Sequence, residues 1–340
     1  MGLDGDWHIQ MYHGYANEAV VIVEGRVLQD RNIAVNQNDS YFTNLLNTYK
    51  RLGSREAPMA RVSVKVLDQI KHLTTDDEGY FQVEIPHGQQ NLPERMSASA
   101  RLLSHEPFDR DFEGKIYLPG KASKLAVISD VDDTILVTGA VSLRQMARWT
   151  FLHNAYSRRR IAGVGAWYRA IQAGAEGDQQ NPIFYVSSSP WNFFDLIDDF
   201  IQLNQIPSGP LLLRDYGIDD GKLLIEPHGS HKISRCEELF AQFPDHQFLL
   251  IGDAGQEDTF IYRDLLQKHP SRVAAVIIRS VKGNKQESTV RQEISKLREE
   301  TLPIYFIRDS EEGARICQEF GWLNEAQVQA VTTAVNNHLS

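Results

Sequence analysis

Residues 125–134 read LAVISDVDDT, and residues 248–258 read FLLIGDAGQED. In both stretches a short apolar run stops at an aspartate. Runs of this length, bounded by polar residues, predict buried strands of a parallel sheet. Ligands of such sheets bind outside the carboxyl ends of the strands. The aspartates that follow the two runs are therefore candidate functional residues.

Further apolar strands alternate with helical patterns from about residue 122 onward. They are IFYVS (183–187), LLLR (211–214), VAAVII (273–278) and LPIYFI (302–307). This alternation predicts an α/β domain over 121–340, with a parallel sheet and helices on both faces. The segment at about 135–180, between the first two strands, predicts a small cap of two helices. Two polar helices are predicted to finish the chain.

The first third of the chain has a different pattern of short, β-branched or alternating segments. These are AVVIVEGRVL (19–28), RVSVKVLD (61–68), GYFQVEIP (79–86), SASARLLS (97–104) and FEGKIYLP (112–119). Gly, Pro, Asn and Asp separate them, which favours an antiparallel sandwich or small barrel over residues 1–120. One helix is predicted within this domain, at 39–54. PGKAS (119–123) is the predicted linker.

Composition excludes several classes of protein. The 340 residues are 42% hydrophobic and 24% charged, as in globular chains of about two domains. No apolar run is long enough to span a bilayer, and no secretory signal is recognised at the N-terminus. The two cysteines, Cys236 and Cys317, favour a reducing compartment. We expect a cytoplasmic protein, either free or peripheral to a membrane. A net charge of −10 argues against a stable nucleic-acid partner.

The aspartates at the strand ends suit a metal ion. In an extended chain Asp130 and Asp132 lie on the same side, where two carboxylates repel unless a cation or a shared proton compensates. Asp253 and Asp258 follow the second strand. Hard carboxylate oxygens are the ligands that Mg²⁺ prefers. The competing interpretation is a set of capping or turn carboxylates, and for Asp258 an exposed acid in the first turn of a helix.

A third strand end, YVSSSP (185–190), supplies hydroxyls. Ser189 is predicted to cap a helix that begins at Pro190, which would aim free backbone N–H groups at the same cleft. Ser187 and Ser188 are then candidate phosphate ligands, although Ser187 could instead be a buried hydroxyl bonded to backbone.

Fixed positive charge in this cleft has two candidate sources. Lys232 is predicted to open the helix KISRCEELF (232–240), and Lys222 is its rival. The pair His228 and His231 lacks further zinc ligands nearby, which favours a loop beside the site. The run Arg158–Arg160 fits either a solvated helix end or a substrate-facing patch.

These motifs, in this order, resemble the four motifs of the haloacid dehalogenase-like phosphatases. More narrowly, ISDVDDTILVTG (128–139) and FLLIGDAGQEDTFIYRDLL (248–266) resemble the actin-patch-associated phosphatidate phosphatases and their bacterial relatives. NLLNTYKR (44–51) and TTDDEGYFQVEIP (74–86) resemble the β domain of bacterial members. The resemblance covers nearly the whole chain and implies a Rossmann-like phosphatase domain with a small cap.

The resemblance also implies a role for each position. Asp130 would be the nucleophile that forms an aspartyl-phosphate, and Asp132 the general acid and base. The implied phosphate ligands are Thr134, Ser187, Ser188 and Lys232. The implied Mg²⁺ ligands are Asp130, Asp132, Asp253 and Asp258. The role of Asp133 stays open.

The prediction is thus a Mg²⁺-dependent phosphatase. The resemblance implies that its substrate is phosphatidate or a related lipid phosphomonoester, bound in solution or at a membrane surface. Two alternatives remain open. One is a phosphatase for a nucleic-acid end, a phosphoprotein or a small metabolite. The other is a binding or scaffold module with little catalysis, whose β domain docks to a partner still to be identified.

Overall fold

The computed structural model describes most of the chain in two compact units. The described ranges are 7–29, 57–88, 92–104, 110–131, 134–135, 161–214, 218–219, 222–223, 228–254, 258–281, 287–299 and 301–339. The first unit comprises Met1–Pro119, Asn192–Leu196 and Gly217–Lys222, and the second comprises Gly120–Trp191, Ile197–Tyr216 and Leu223–Ser340. The predicted helix at 39–54 lies outside the described residues, as do Asp132, Asp133 and Arg158–Arg160.

The first unit contains an eight-stranded sheet. Its strands are β1 (Trp7–Met11), β2 (Gly14–Ala16), β3 (Val20–Gln29), β4 (Arg61–Val66), β5 (Gln69–Thr74), β6 (Tyr80–Pro86), β7 (Met96–Leu102) and β8 (Phe112–Tyr117). The order is β1-β3-β2-β8-β7-β4-β5, and β6 pairs with β3. The pairs are antiparallel apart from β2 with β8, which is parallel. The predicted antiparallel pairing is therefore confirmed except at this one pair, which makes the sheet mixed.

Alternation explains the core of this unit. Val62, Val64 and Val66 of β4 are buried, whereas Arg61 and Lys65 between them are exposed. Successive side chains of a strand point to opposite faces, so β4 gives one face to the core. All five predicted strand segments are confirmed as strands. β1, β2 and β5 were not predicted, and β5 lacks the alternation because most of its side chains are exposed.

The second unit is built on a six-stranded sheet in which the paired strands are parallel. Its strands are β9 (Leu125–Asp130), β10 (Ile183–Pro190), β11 (Leu211–Arg214), β14 (Gln247–Asp253), β15 (Val273–Arg279) and β16 (Ile304–Ile307), in the order β11-β10-β9-β14-β15-β16. Two short strands, β12 (Ile218–Asp219) and β13 (Lys222–Leu223), pair separately. The described helices are α1 (Val164–Ala173), α2 (Phe194–Leu203), α3 (His228–Gln242), α4 (Asp258–Lys268), α5 (Glu287–Glu299), α6 (Ser310–Glu319) and α7 (Glu325–Leu339).

The central position of β9 determines where the site forms. All six residues of β9 are buried, as expected for a parallel strand covered on both faces. β10 flanks it on one side and β14 on the other. Since parallel strands end at the same edge, the residues that follow these three strands meet there. The predicted α/β architecture and its six main strands are confirmed.

Two local predictions in this unit were wrong. β10 continues through Ser189 and Pro190, so neither residue starts a helix; a short 3₁₀ turn at Trp191–Phe193 precedes α2. α3 begins at His228, which puts Lys232 in its second turn rather than at its start. Of the predicted cap, the structure describes α1 and leaves 136–160 undescribed.

Candidate active site

Asp130 ends β9 and is completely buried. Its Oδ1 accepts a hydrogen bond from Lys232 Nζ at 2.7 Å. Its Oδ2 accepts one from the Thr134 hydroxyl at 3.3 Å. Both carboxylate oxygens therefore have a donor, and together the two donors fix the orientation of the group.

Lys232 joins β9 to the start of α4. Its Nζ also donates to Asp258 Oδ1 at 2.5 Å, and only 3% of the Lys232 surface is exposed. Burial opposes the charge on this amine, but the carboxylates of Asp130 and Asp258 outweigh that effect and raise the pKa of Lys232. The ammonium is therefore retained at neutral pH and offsets part of the local negative charge. The side chain of its predicted rival, Lys222, lies outside the described part.

Gly252 lets α4 approach the end of β14. A Cβ at this position would lie 2.7 Å from the Tyr262 ring and 2.8 Å from Asp258 Oδ2, so a larger residue would push α4 away. The Asp253 backbone N–H donates to Asp258 Oδ2 at 3.4 Å. The Gly-Asp pair thus brings two carboxylates, Asp253 and Asp258, to one place. Both are buried.

Three aspartates form a group able to hold a metal ion. Asp130, Asp253 and Asp258 each offer one oxygen, and these oxygens lie within 4.8 Å of one another. The donors are all hard carboxylate oxygens, which suits a hard divalent cation. Of the four predicted metal ligands the structure thus brings three together, and the fourth, Asp132, lies outside the described residues.

The serine strand bulges at the same edge. Val186 pairs with Leu212 of β11, but Pro190 pairs with Arg214. β10 therefore uses four residues over a length for which β11 uses two. The Ser189 N–H donates to the Ser187 hydroxyl at 2.9 Å within this bulge. Ser187 is buried and Ser188 is half-buried. Bulges next to active sites reorient side chains, and this one bends the segment that contains both predicted phosphate ligands.

Ser187 lies next to the nucleophile candidate by register. Val186 of β10 pairs with Asp130 of β9, so Ser187 is one residue further along the neighbouring strand. Six of the predicted site residues thus converge at the carboxyl ends of three adjacent strands. They are Asp130, Thr134, Ser187, Lys232, Asp253 and Asp258. Strand-end position predicted Asp130, Ser187, Asp253 and Asp258 here, and parallel pairing explains why they meet. Lys232 was instead predicted at a helix start, and Thr134 came from the family resemblance.

His231 precedes Lys232 on α3. Burial lowers the pKa of His231 to about 4, and the charges of Arg235, Arg214 and Lys232 act in the same direction. The imidazole is therefore neutral at physiological pH. Among the described residues no group of zinc ligands includes it, and the side chain of His228 is not described.

The sequence analysis did not identify the groups that hydrogen-bond to the residues and backbone next to Asp130 and Thr134. The Tyr168 hydroxyl of α1 bonds to the Ser129 hydroxyl at 2.8 Å, and Ser129 donates to the Asp130 carbonyl at 2.7 Å. Arg279 ends β15, and its Nη1 donates to the Thr134 carbonyl at 3.3 Å. The basic residue after the apolar run VAAVII was a signal for Arg279. No signal in the sequence indicated Tyr168.

Fold and site define an α/β domain whose parallel sheet ends in a buried carboxylate cluster with the chemistry of a divalent-metal site. Residues 125–280 match the family model described as phosphatidate phosphatase APP1, catalytic domain. The match supports the predicted family resemblance for this region, which is 156 of the 340 residues.

Two curated relatives match different lengths of the chain. Phosphatidate phosphatase APP1 of Saccharomyces cerevisiae is 33% identical over 156 residues, 46% of this chain and 26% of that protein. An uncharacterized protein of Schizosaccharomyces pombe is 26% identical over 218 residues, 62% of this chain and 34% of that protein. The chain thus matches about a quarter to a third of the length of these curated relatives.

Among solved structures, a carbohydrate acetylesterase from Xanthomonas citri aligns over 81% of this chain and 68% of its own. Its identity is 9% and its TM-score 0.30.

No helix in the described ranges has the length and apolar character needed to cross a bilayer.

Proposed function

We propose that this protein is a Mg²⁺-dependent phosphoric monoester hydrolase that acts on phosphatidate or a related lipid phosphomonoester through an aspartyl-phosphate. The observation that carries the proposal is the buried contact of Lys232 with both Asp130 and Asp258, inside a region that matches a phosphatidate phosphatase catalytic domain. We further propose a haloacid dehalogenase-like fold for residues 121–340 and an accessory β domain for residues 1–120.

The environment of Asp130 suits a nucleophile. A carboxylate must be ionised to attack phosphorus, and the neighbouring ammonium of Lys232 favours the ionised form. Hydrogen bonds from Lys232 and Thr134 hold its two oxygens. The carboxylate therefore has little rotational freedom left to lose on the way to the transition state. Asp130 forms a bond to phosphorus as the bond from phosphorus to the leaving alcohol oxygen breaks.

Proton transfer is assigned to Asp132. It donates a proton to the departing alcohol oxygen, giving diacylglycerol if the substrate is phosphatidate. It then takes a proton from the water that attacks the aspartyl-phosphate, which releases inorganic phosphate and regenerates Asp130. Asp132 lies two positions after Asp130 and two positions before Thr134 in the chain, so one short segment supplies all three groups.

The remaining groups bind the phosphate and the metal ion. Asp130 and Asp253 are proposed to hold Mg²⁺ together with Asp132, and Asp258 links this group to Lys232. A bound Mg²⁺ would neutralise charge on the phosphoryl oxygens. The Ser187 and Ser188 hydroxyls and the Thr134 hydroxyl are proposed to contact phosphate oxygens. The protein is proposed to work in the cytoplasm, free or at a membrane surface.

Phosphate release tests the proposal. The wild-type protein and its Asp130→Asn variant are compared with and without Mg²⁺ on short-chain phosphatidate, an aryl phosphate, a nucleotide and a phosphopeptide. Asp264→Asn is the matched control, because Asp264 is an exposed acid of the same unit. We expect Mg²⁺-dependent release from phosphatidate that Asp130→Asn abolishes and Asp264→Asn retains. Release in Asp130→Asn at the wild-type rate would contradict the assigned nucleophile.

A further inference from the structure

Arg279 lies at the carboxyl edge of the parallel sheet, as the last residue of β15. It pairs in register with Asp253 of β14, and the Ala254 N–H donates to the Arg279 carbonyl at 2.9 Å. Its backbone is therefore fixed beside the carboxylate cluster. Its side chain is half-buried.

The guanidinium reaches across the end of β14. Nη1 of Arg279 donates to the carbonyl of Thr134, in the turn that follows β9, and β14 lies between β9 and β15 in the sheet. The contact thus links the two strands that flank the Asp253 strand.

A second observation places the same charge near β9. Burial raises the pKa of Tyr168, and the positive charge of Arg279 opposes that rise. The Tyr168 hydroxyl bonds to Ser129, the residue before Asp130. The charge of Arg279 therefore acts on Tyr168, whose hydroxyl contacts the residue before Asp130.

The turn held by Arg279 is the one that orients Asp130. The Ile135 N–H donates to the Val131 carbonyl at 3.2 Å and closes this turn, and the Thr134 hydroxyl donates to Asp130 Oδ2. A shift of the Thr134 backbone would move that hydroxyl away from the carboxylate. An arginine suits the task, because it stays charged at every accessible pH and presents several donors on a planar group.

We propose that Arg279 is a positioning residue, which holds the Thr134 turn so that the Asp130 carboxylate keeps the orientation needed for attack. This inference rests on the proposed phosphatase function. Arg279 acts through Thr134 and does not contact the substrate. Its loss is therefore expected to slow turnover with little effect on substrate affinity, since misplacement of a reacting group by about 1 Å can cost up to 10²-fold in rate.

A matched control exists at the opposite end of the same strand. Arg272 precedes β15, and its guanidinium also donates to backbone carbonyls, those of Phe240, Phe243 and Pro244. Arg272 and Arg279 thus make the same kind of bond at opposite edges of one sheet. Only Arg279 lies at the carboxyl edge, so loss of Arg272 reports the cost of removing such a bond away from the site.

The test compares Arg279→Gln, Arg279→Lys and Arg272→Gln by steady-state kinetics on the preferred substrate. We expect Arg279→Gln to lower kcat about 10- to 100-fold with KM within twofold. Arg279→Lys should recover part of the loss, and Arg272→Gln should keep kcat within twofold. A raised KM with unchanged kcat in Arg279→Gln would overturn the inference, because it would indicate direct substrate binding. An equal kcat loss in Arg272→Gln would overturn it too.

Hydrogen exchange separates failure of this inference from failure of the proposed function. The peptide containing residues 131–135 is followed by mass spectrometry in the same variants. Exchange at least fivefold faster in Arg279→Gln, but not in Arg272→Gln, supports the link to the Thr134 turn even for a protein with no turnover. Unchanged exchange in Arg279→Gln overturns the inference, whatever the kinetics of the wild type.

Discussion

Replacing Lys232 with methionine tests whether the carboxylate cluster depends on its buried ammonium. In the native protein this group contacts Asp130 at 2.7 Å and Asp258 at 2.5 Å, with almost no exposure to water. Lys232→Met preserves most of the volume and leaves two buried carboxylates without their cation. Loss of one partner of a buried ion pair costs about 3–5 kcal/mol. For a unit of this size the expected decrease in Tm is roughly 6–20 °C.

The assay is thermal unfolding in EDTA, followed by circular dichroism, with Lys268→Met as control. Lys268 also pairs with a carboxylate, Glu237, at 2.6 Å, but 64% of its side chain is exposed. That pair contributes about 0–1 kcal/mol. The raised pKa of Lys232 means that its contribution is fully present below the ordinary lysine pKa of 10.5, so the difference should be constant from pH 6 to 9. Equal Tm values for the two variants would refute the reasoning.

Three further predictions concern the same unit. Gly252→Ala should lower the free energy of unfolding by about 1–3 kcal/mol, because its Cβ meets Tyr262 and Asp258; denaturant unfolding measures this, and an unchanged midpoint would contradict the close packing. Burial lowers the pKa of His231 in the folded protein, so its contribution to the free energy of unfolding is fully present above pH 6.5. The free energy of unfolding should then fall by about 1–3 kcal/mol as the pH falls toward 4. His231→Gln should remove that slope, and an identical slope in the variant would rule out His231 as its cause. Mg²⁺ at 100 times its Kd should stabilise the wild type by about 2.7 kcal/mol. Calorimetry should find most of this stabilisation lost in Asp253→Asn. Full stabilisation of Asp253→Asn by Mg²⁺ would exclude the proposed site.

Much of the α/β unit follows from apolar patterning. β9 and β14 are mostly apolar, buried runs that end at Asp130 and Asp253, the pattern expected of strands buried on both faces. Because parallel strands share one edge, the convergence of these aspartates was predictable. The order of the strands, which makes β9 a neighbour of β14, requires tertiary information.

Other features depend on geometry that no local pattern encodes. The bulge at Ser187–Ser189 extends β10 past the point where serine and proline would ordinarily begin a helix. β5 escaped prediction because its residues are mostly exposed and lack an apolar face. The bond from Arg279 to Thr134 joins residues 145 positions apart in the chain, and only the order of the sheet brings them together.

The chain order of the sheet has a consequence for synthesis on the ribosome. Asp130 emerges 102 residues before Lys232, the cation that accompanies its burial. At about 5–20 residues per second, that interval is roughly 5–20 s. β14, the second neighbour of β9, is translated later still. During this interval the nascent strand ends in a charged carboxylate that favours water over the interior. The central strand, although made first, should therefore settle into the sheet only after the later strands have been translated.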